Sequence, residues 1–108
     1  MEKFDKIKIN YKFDGMTDVL IQDLKSLVEF NISGKMDGYF KKVFKKEDAE
    51  IKISIVVKKD KQDKYAGSFR FDVDGKMIPY QNDIPFKSIE DLVNHAFDRL
   101  KLELSDSK

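Results

Sequence analysis

Residues 51–81 read IKISIVVKKDKQDKYAGSFRFDVDGKMIPYQ, and the spacing of apolar residues in them decides the fold. Ile51, Ile53, Ile55 and Val57 alternate with Lys52, Ser54, Val56 and Lys58, and Phe69, Phe71 and Val73 alternate with Ser68, Arg70 and Asp72. A period of two, built on β-branched and aromatic residues, is the pattern of a strand buried on one face only. The segment 58–64, KKDKQDK, reads as a polar turn between the two strands. Asp74-Gly75 is a two-residue hairpin signal, since the favoured short turns need positive φ at their centre. It leads into a short fourth strand, Lys76 to Gln81. Pro79 has no N–H to give a ladder, which places that strand at a sheet edge or a bulge.

Outward from this block, Ile7, Ile9, Tyr11 and Phe13 alternate with Lys6, Lys8, Asn10 and Lys12, a first strand closed by Asp14-Gly15. Thr17 is placed to cap a helix, with Asp18 in its first turn. Leu20, Leu24, Leu27 and Val28 then keep helical spacing, and Met36, Tyr39, Phe40, Val43 and Phe44 form a second stripe rotated from the first. Asn31, Ser33, Gly34 and Gly38 interrupt them, and each interior glycine costs a helix about 1 kcal/mol. The spacing predicts either one long helix bent near Gly34 or two helices in tandem. On the other side, Ser88 opens the last helix, with Asp91 in the place of the glutamate of a capping box. Ile89, Leu92, Val93, Ala96, Phe97, Leu100 and Leu104 make its apolar stripe.

The order is β-α-β-β-β-α. One face of every strand is polar, so both helices must cover the other. This predicts a two-layer α+β domain over residues 1–104, with a four-stranded sheet, two helices on one face and a short polar tail at 105–108. Phe97 and Leu100 are expected to pack against Ile53, Phe69 and Phe71.

Composition removes several classes of function. The 108 residues suit one domain, and 41% hydrophobic content is too high for a disordered chain. With no cysteine there is no disulfide framework, no thiolate metal site and no cysteine nucleophile. MEKFDKIKIN lacks the apolar run of a signal peptide, and no window has the roughly 18 apolar residues of a membrane span. The chain is expected to be cytosolic, without a membrane partner. His95, the single histidine, falls on the polar side of the last helix between Val93 and Ala96 and reads as a surface residue. Asp72, Asp74 and Gly75 look like a fragment of a calcium loop, but Lys76 occupies the next ligand position and the closing glutamate is missing. A hairpin turn accounts for them. No phosphate-cradling glycine motif and no nucleophile elbow occur. The expectation is therefore a non-enzyme with no cofactor, no metal and no small-molecule substrate.

Charge is informative only locally, because 21 Lys+Arg nearly balance 20 Asp+Glu. Residues 35–46, KMDGYFKKVFKK, hold five lysines against one aspartate. Lys35, Lys41, Lys42, Lys45 and Lys46 are candidate phosphate contacts, the last four at helical spacing beside the apolar stripe; such a contact needs cations held on a rigid element. The competing reading is a solvated helix face, and the interleaved aromatics are core either way. Lys6, Lys8, Lys12, Lys52, Lys58 and Arg70 fall together on the wet face of the sheet, opposed mainly by Glu50 and Asp72, with Lys8, Lys52 and Arg70 as candidates for a second RNA face. Solubility and edge protection is the alternative. Residues 83–108 carry four basic and six acidic residues, which leaves Lys87, Arg99 and Lys101 as the phosphate candidates there.

Three passages resemble the bacterial ribosome hibernation-promoting factors, also known as protein Y or ribosome-associated inhibitor. KMDGYFKKV at 35–43 looks like the family's lysine-rich helix end with its Tyr-Phe pair. The alternating strands from Ile51 to Tyr80 keep a glycine at the second hairpin. SIEDLVNHAFDRLKLEL at 88–104 is similar to the family's final helix, with Asp98-Arg99-Leu100 at its centre. The resemblance implies a fold close to double-stranded-RNA-binding domains, binding to the small ribosomal subunit and its ribosomal RNA in the decoding channel, and inhibition of idle ribosomes, without cofactor or reaction. The chain departs from the family at Pro85-Phe86-Lys87-Ser88-Ile89-Glu90-Asp91, which replaces the usual entry to the last helix. It departs again at Asn31 to Gly34, an apparent insertion, and in its low net charge. It resembles the short form without a dimerisation domain, so a monomer acting as one copy per ribosome is expected. A protein-binding adaptor, using the acidic last helix or an open sheet edge, is the alternative on the same scaffold.

Overall fold

A computed structural model of the chain describes residues 7–106. Its elements run β1 (Ile7–Asp14), α1 (Asp18–Ser33), α2 (Asp37–Val43), β2 (Ile51–Lys59), β3 (Tyr65–Val73), β4 (Lys76–Gln81) and α3 (Ile89–Asp106). The four strands form one sheet in the order β1-β2-β3-β4. Two local hairpins join β2, β3 and β4 antiparallel, while β1 pairs parallel to β2 with Ile7 opposite Ile51. Parallel neighbours need a long crossover, and here α1 and α2 supply it.

The alternation read from the sequence is the alternation of burial. Ile51, Ile53, Ile55, Val57, Phe69, Phe71 and Val73 are buried on one face of the sheet, and Lys52, Ser54, Lys58, Ser68 and Arg70 are exposed on the other. The helices therefore lie on one face. Leu24, Val28 and Ile32 of α1, Phe40 of α2 and Leu92, Val93, Ala96, Phe97 and Leu100 of α3 complete one hydrophobic cluster with the strands. The Phe97 ring meets Phe71 edge to face at 5.3 Å. Pro79 sits on the edge strand β4, and Asp74 and Gly75 both have positive φ, 50° and 89°, as the short turn requires.

The helical layer differs from the two-helix expectation. Of the two outcomes the stripes allowed, the tandem forms, giving three helices among the described residues. Thr17 caps α1 by accepting from the Leu20 N–H at 3.3 Å. At its far end Gly34 N–H donates to Phe30 O at 3.0 Å and Met36 N–H to Asn31 O at 2.9 Å, and the chain restarts as α2. The break resets the helical phase, so that Met36 and Phe40 reach the core that an unbroken helix would turn away from them. Asn31, which reads as part of that break, is instead inside α1 and buried. Its side-chain amide donates to Leu27 O at 2.8 Å and to Asn94 Oδ1 of α3 at 3.3 Å.

Three boundaries also move. β2 runs on to Lys59 and β3 starts at Tyr65, so the turn is only 60–64, closed by Asp60 Oδ1 accepting from Gln62 N–H at 2.8 Å and Lys64 N–H at 2.9 Å. Tyr65 and Phe86 exchange backbone hydrogen bonds, which draws the strand out to Tyr65. Gly67 breaks the apolar alternation because Leu92 fills the space its side chain would take: a Cβ there would lie 2.9 Å from Leu92 Cδ2. Finally, α3 does not end at Leu104 but continues to Asp106. The Ser105 hydroxyl lies 2.8 Å from the Tyr39 hydroxyl, which joins this last turn to α2.

Candidate nucleic-acid interface

The lysine-rich end of the helical layer is less uniform than its spacing predicts. α2 stops at Val43, so only Lys41 and Lys42 are on a helix; Lys45 and Lys46 lie in the turn that follows. The cause is the need to reverse into β2. Phe44 packs against the core, and turn hydrogen bonds from Lys45 N–H to Lys42 O and from Lys46 N–H to Val43 O bring the chain round to Ile51. Three of the five lysines are already in ion pairs. Lys35 is tied to Asp98 of α3, Lys41 to Asp37 at 3.0 Å and Lys46 to Asp74 at 3.2 Å. Lys42 and Lys45 are exposed with no ion-pair partner among the described residues. Phe40 is buried, and Tyr39 and Phe44 are partly buried against the core, so these aromatics are structural.

The other helical cations stand in acidic surroundings. Arg99 is 3.9 Å from Glu103, one turn along α3. Lys101 and Lys87 are exposed, Lys87 just before the helix. Glu90, Asp91 and Asp98 share α3 with Arg99 and Lys101.

The exposed face of the sheet is a grid fixed by register. One row is Lys8, Lys52, Asp72 and Met77; the next is Asn10, Ser54, Arg70 and Pro79; then Lys12, Val56, Ser68 and Gln81; then Asp14, Lys58 and Ala66. Within the strands five cations meet the carboxylates Asp14 and Asp72, and at the Lys52 end Asp48, Glu50 and Asp74 line a depression with Lys52 and Asp72. Lys52 lies 3.9 Å from Glu50, a loose contact, and Lys8, Lys12, Lys58 and Arg70 have no ion-pair partner among the described residues. Lys6, read with this set, lies outside the described residues. A shallow depression of about 410 Å³ opens where Ala66 and Ser68 have short side chains, bordered by Val56, Lys58 and Gln81.

The remaining chemistry is sparse. Among the described residues no cluster of three or more His, Asp or Glu is placed to hold a metal ion. His95 is exposed with its ring 4.8 Å from that of Phe86. Asp72 serves the hairpin, its Oδ1 accepting from Gly75 N–H at 3.0 Å. Burial pushes the Tyr11 hydroxyl up to about 12, with the charge of Glu29 adding to it.

One feature gave no signal in the sequence. A groove of about 490 Å³ between α1 and the start of α3 is lined by Leu27, Phe30 and Ile89, with Asp23 and Glu90 beside them. Phe30 is 76% exposed. Leu24, Val28, Asn31 and Ile32 are the residues α1 buries, which leaves Phe30 outside the core.

No family model and no curated protein matches this sequence. Among solved structures, the fold is similar to the N-terminal domain of protein Y from Thermus thermophilus. The TM-score is 0.59 and the identity 12%, over 94% of this chain and 99% of that one. That structural neighbour bears the name of the family that the sequence resembles at residues 35–43, 51–80 and 88–104.

Proposed function

We propose that this protein is a non-catalytic, cytoplasmic ribosome-binding factor of the hibernation type. It occupies the decoding region of the small subunit, contacts ribosomal RNA through lysine and arginine side chains, and keeps idle ribosomes from translating. The observation that carries this reading is the agreement of two likenesses, one of fold and one of sequence passages. A fold shared with a protein Y domain covers 94% of the chain, and three separate sequence passages resemble the same family. Exposed lysine and arginine side chains supply the phosphate contacts, so the binding is electrostatic and weakens with salt as counterions are released. It acts as a monomer and needs no cofactor.

The test is sedimentation of lysate through a sucrose gradient from growing and from starved cells, with the protein detected by blotting. It is expected with ribosomal particles, and the purified protein is expected to lower translation in a reconstituted system. A protein confined to the top of the gradient in both conditions sinks the reading. One observation favours an adaptor in that case: the groove at Phe30, with carboxylates on its rim, suits a protein segment carrying an apolar anchor between basic residues.

A further inference from the structure

We infer that the exposed face of the sheet, rather than the lysine-rich end of the helical layer, is the main phosphate-binding surface, and that it takes the backbone of base-paired RNA. The inference rests on the ribosome-binding reading and names the surface that serves it.

Availability of charge is the first argument. A cation already neutralised by a carboxylate must give up that partner before it meets a phosphate, and it releases fewer counterions when it does. Lys35, Lys41 and Lys46 of the helix-end set are paired in this way. On the sheet, Lys8, Lys12, Lys58 and Arg70 are not, among the described residues, and Lys52 only loosely. Glu47 follows Lys46 directly in the chain, and α1 and α3 carry further carboxylates, Glu29, Glu90 and Asp91, that repel a polyanion.

Geometry is the second. The sheet cations stand on a hydrogen-bonded ladder, whereas Lys45 and Lys46 stand in a turn. At the usual strand spacings the set spans about 20 Å from Lys52 to Lys58 and about 10 Å across the three strands β1, β2 and β3. Between the cations lie Ser54, Ser68, Ala66 and Pro79, short or compact side chains over which a rod-like polymer can lie close.

The kind of RNA follows from what the face lacks. Surfaces that hold single strands stack bases on aromatic rings. Among the described residues of this sheet, Tyr11, Phe13, Tyr65, Phe69, Phe71 and Tyr80 all fall on the helix-covered side by register, and none falls on the exposed face. Phosphates spaced along a duplex need no stacking, and such RNA is read by shape and backbone.

Two triple variants of equal charge change compare the faces: Lys8→Gln/Lys52→Gln/Arg70→Gln on the sheet and Lys41→Gln/Lys42→Gln/Lys45→Gln on the helix end. Binding to purified small subunits is measured across a salt series. The sheet variant is expected to lose about tenfold or more in affinity, and its log–log salt slope to fall by about 2–3. The helix variant should stay within about threefold with its slope kept. Single Arg70→Gln and Lys58→Gln variants read the same surface with minimal change, each lowering the slope by about 0.7–0.9. A generic RNA duplex should displace the wild-type protein at lower concentration than a homopolymeric single strand. Equal losses in the two triple variants, or a larger loss on the helix end, overturn the choice of face. A better single-strand competitor overturns the choice of ligand. A wild-type protein that never binds the subunit at any salt sinks the ribosome reading itself, whereas salt-dependent binding that survives the sheet substitutions sinks only this inference.

Discussion

The two faces of the sheet are drawn from the same residues of chain, one position apart, and they do opposite work. Ile53 and Phe71 are fully enclosed, while their neighbours Lys52, Ser54 and Arg70 stand exposed on the other face with half-buried Asp72 beside them. On the covered face the side chains are apolar and set by packing. On the open face cations outnumber carboxylates, and few of them are engaged with the rest of the molecule. A strand's period of two thus lets stability and surface chemistry vary separately: a change on one face should be felt in folding, on the other in binding.

Phe97→Ala is the strongest way to probe the covered face. The ring has no exposure and packs edge to face on Phe71, so its removal should cost about 3–5 kcal/mol in denaturant unfolding. A loss below about 1 kcal/mol would show that α3 does not dock as described.

Tyr11 probes the same face at the edge strand. Its hydroxyl pKa is held up at about 12 by burial and then by Glu29, against about 10 for the free side chain. The folded protein keeps this proton in a range where the unfolded chain has released it. The stability contributed is therefore fully present below about pH 10 and is lost as pH rises towards about 12. Tyr11→Phe should remove that part of the alkaline loss, read as the difference between the two proteins' unfolding midpoints from neutral to alkaline pH. Parallel curves for the two would mean that Tyr11 is solvated.

The open face should give the smallest effect on folding. Lys8→Gln/Lys52→Gln/Arg70→Gln should move stability by no more than about 0.5 kcal/mol per position, since exposed charges away from tight contacts contribute tenths. A loss of several kcal/mol would mean that these side chains hold the sheet together, and the separation of the two faces would fail.

What was legible in the sequence was whatever a strict period encodes. The alternations at 51–57 and 69–73 fixed both faces of the sheet, the Asp74-Gly75 pair its tightest turn and the stripe from Ile89 to Leu100 the docking of α3. What was illegible depended on partners distant in sequence. Lys35 meets Asp98 across 63 positions and Lys46 meets Asp74 across 28, so a charge count along the chain overstates the free cations at the helix end. Asn31 looks like a helix breaker because asparagine usually competes with the helix backbone. Here Asn94 lies alongside to receive its amide, and the residue is a core element. The choice between a bent helix and a tandem turned on helical phase, which Met36 and Phe40 settle only once the sheet beneath them is in place.

The parallel pairing of β1 has a consequence in time rather than in space. β2, β3 and β4 are joined by tight hairpins and close over short stretches of chain, whereas β1 reaches β2 only after residues 15–50 have been gathered into α1, α2 and their turns. Non-local pairing carries its loop-closure entropy before any contact repays it. The slowest pairing in the molecule is thus the one that delivers Lys8 and Lys12 beside Lys52 and Lys58. Until it forms, β2 is an open edge whose lysines discourage pairing with another chain. The full cationic grid therefore exists only in molecules that have finished folding, and a half-folded chain presents an incomplete one.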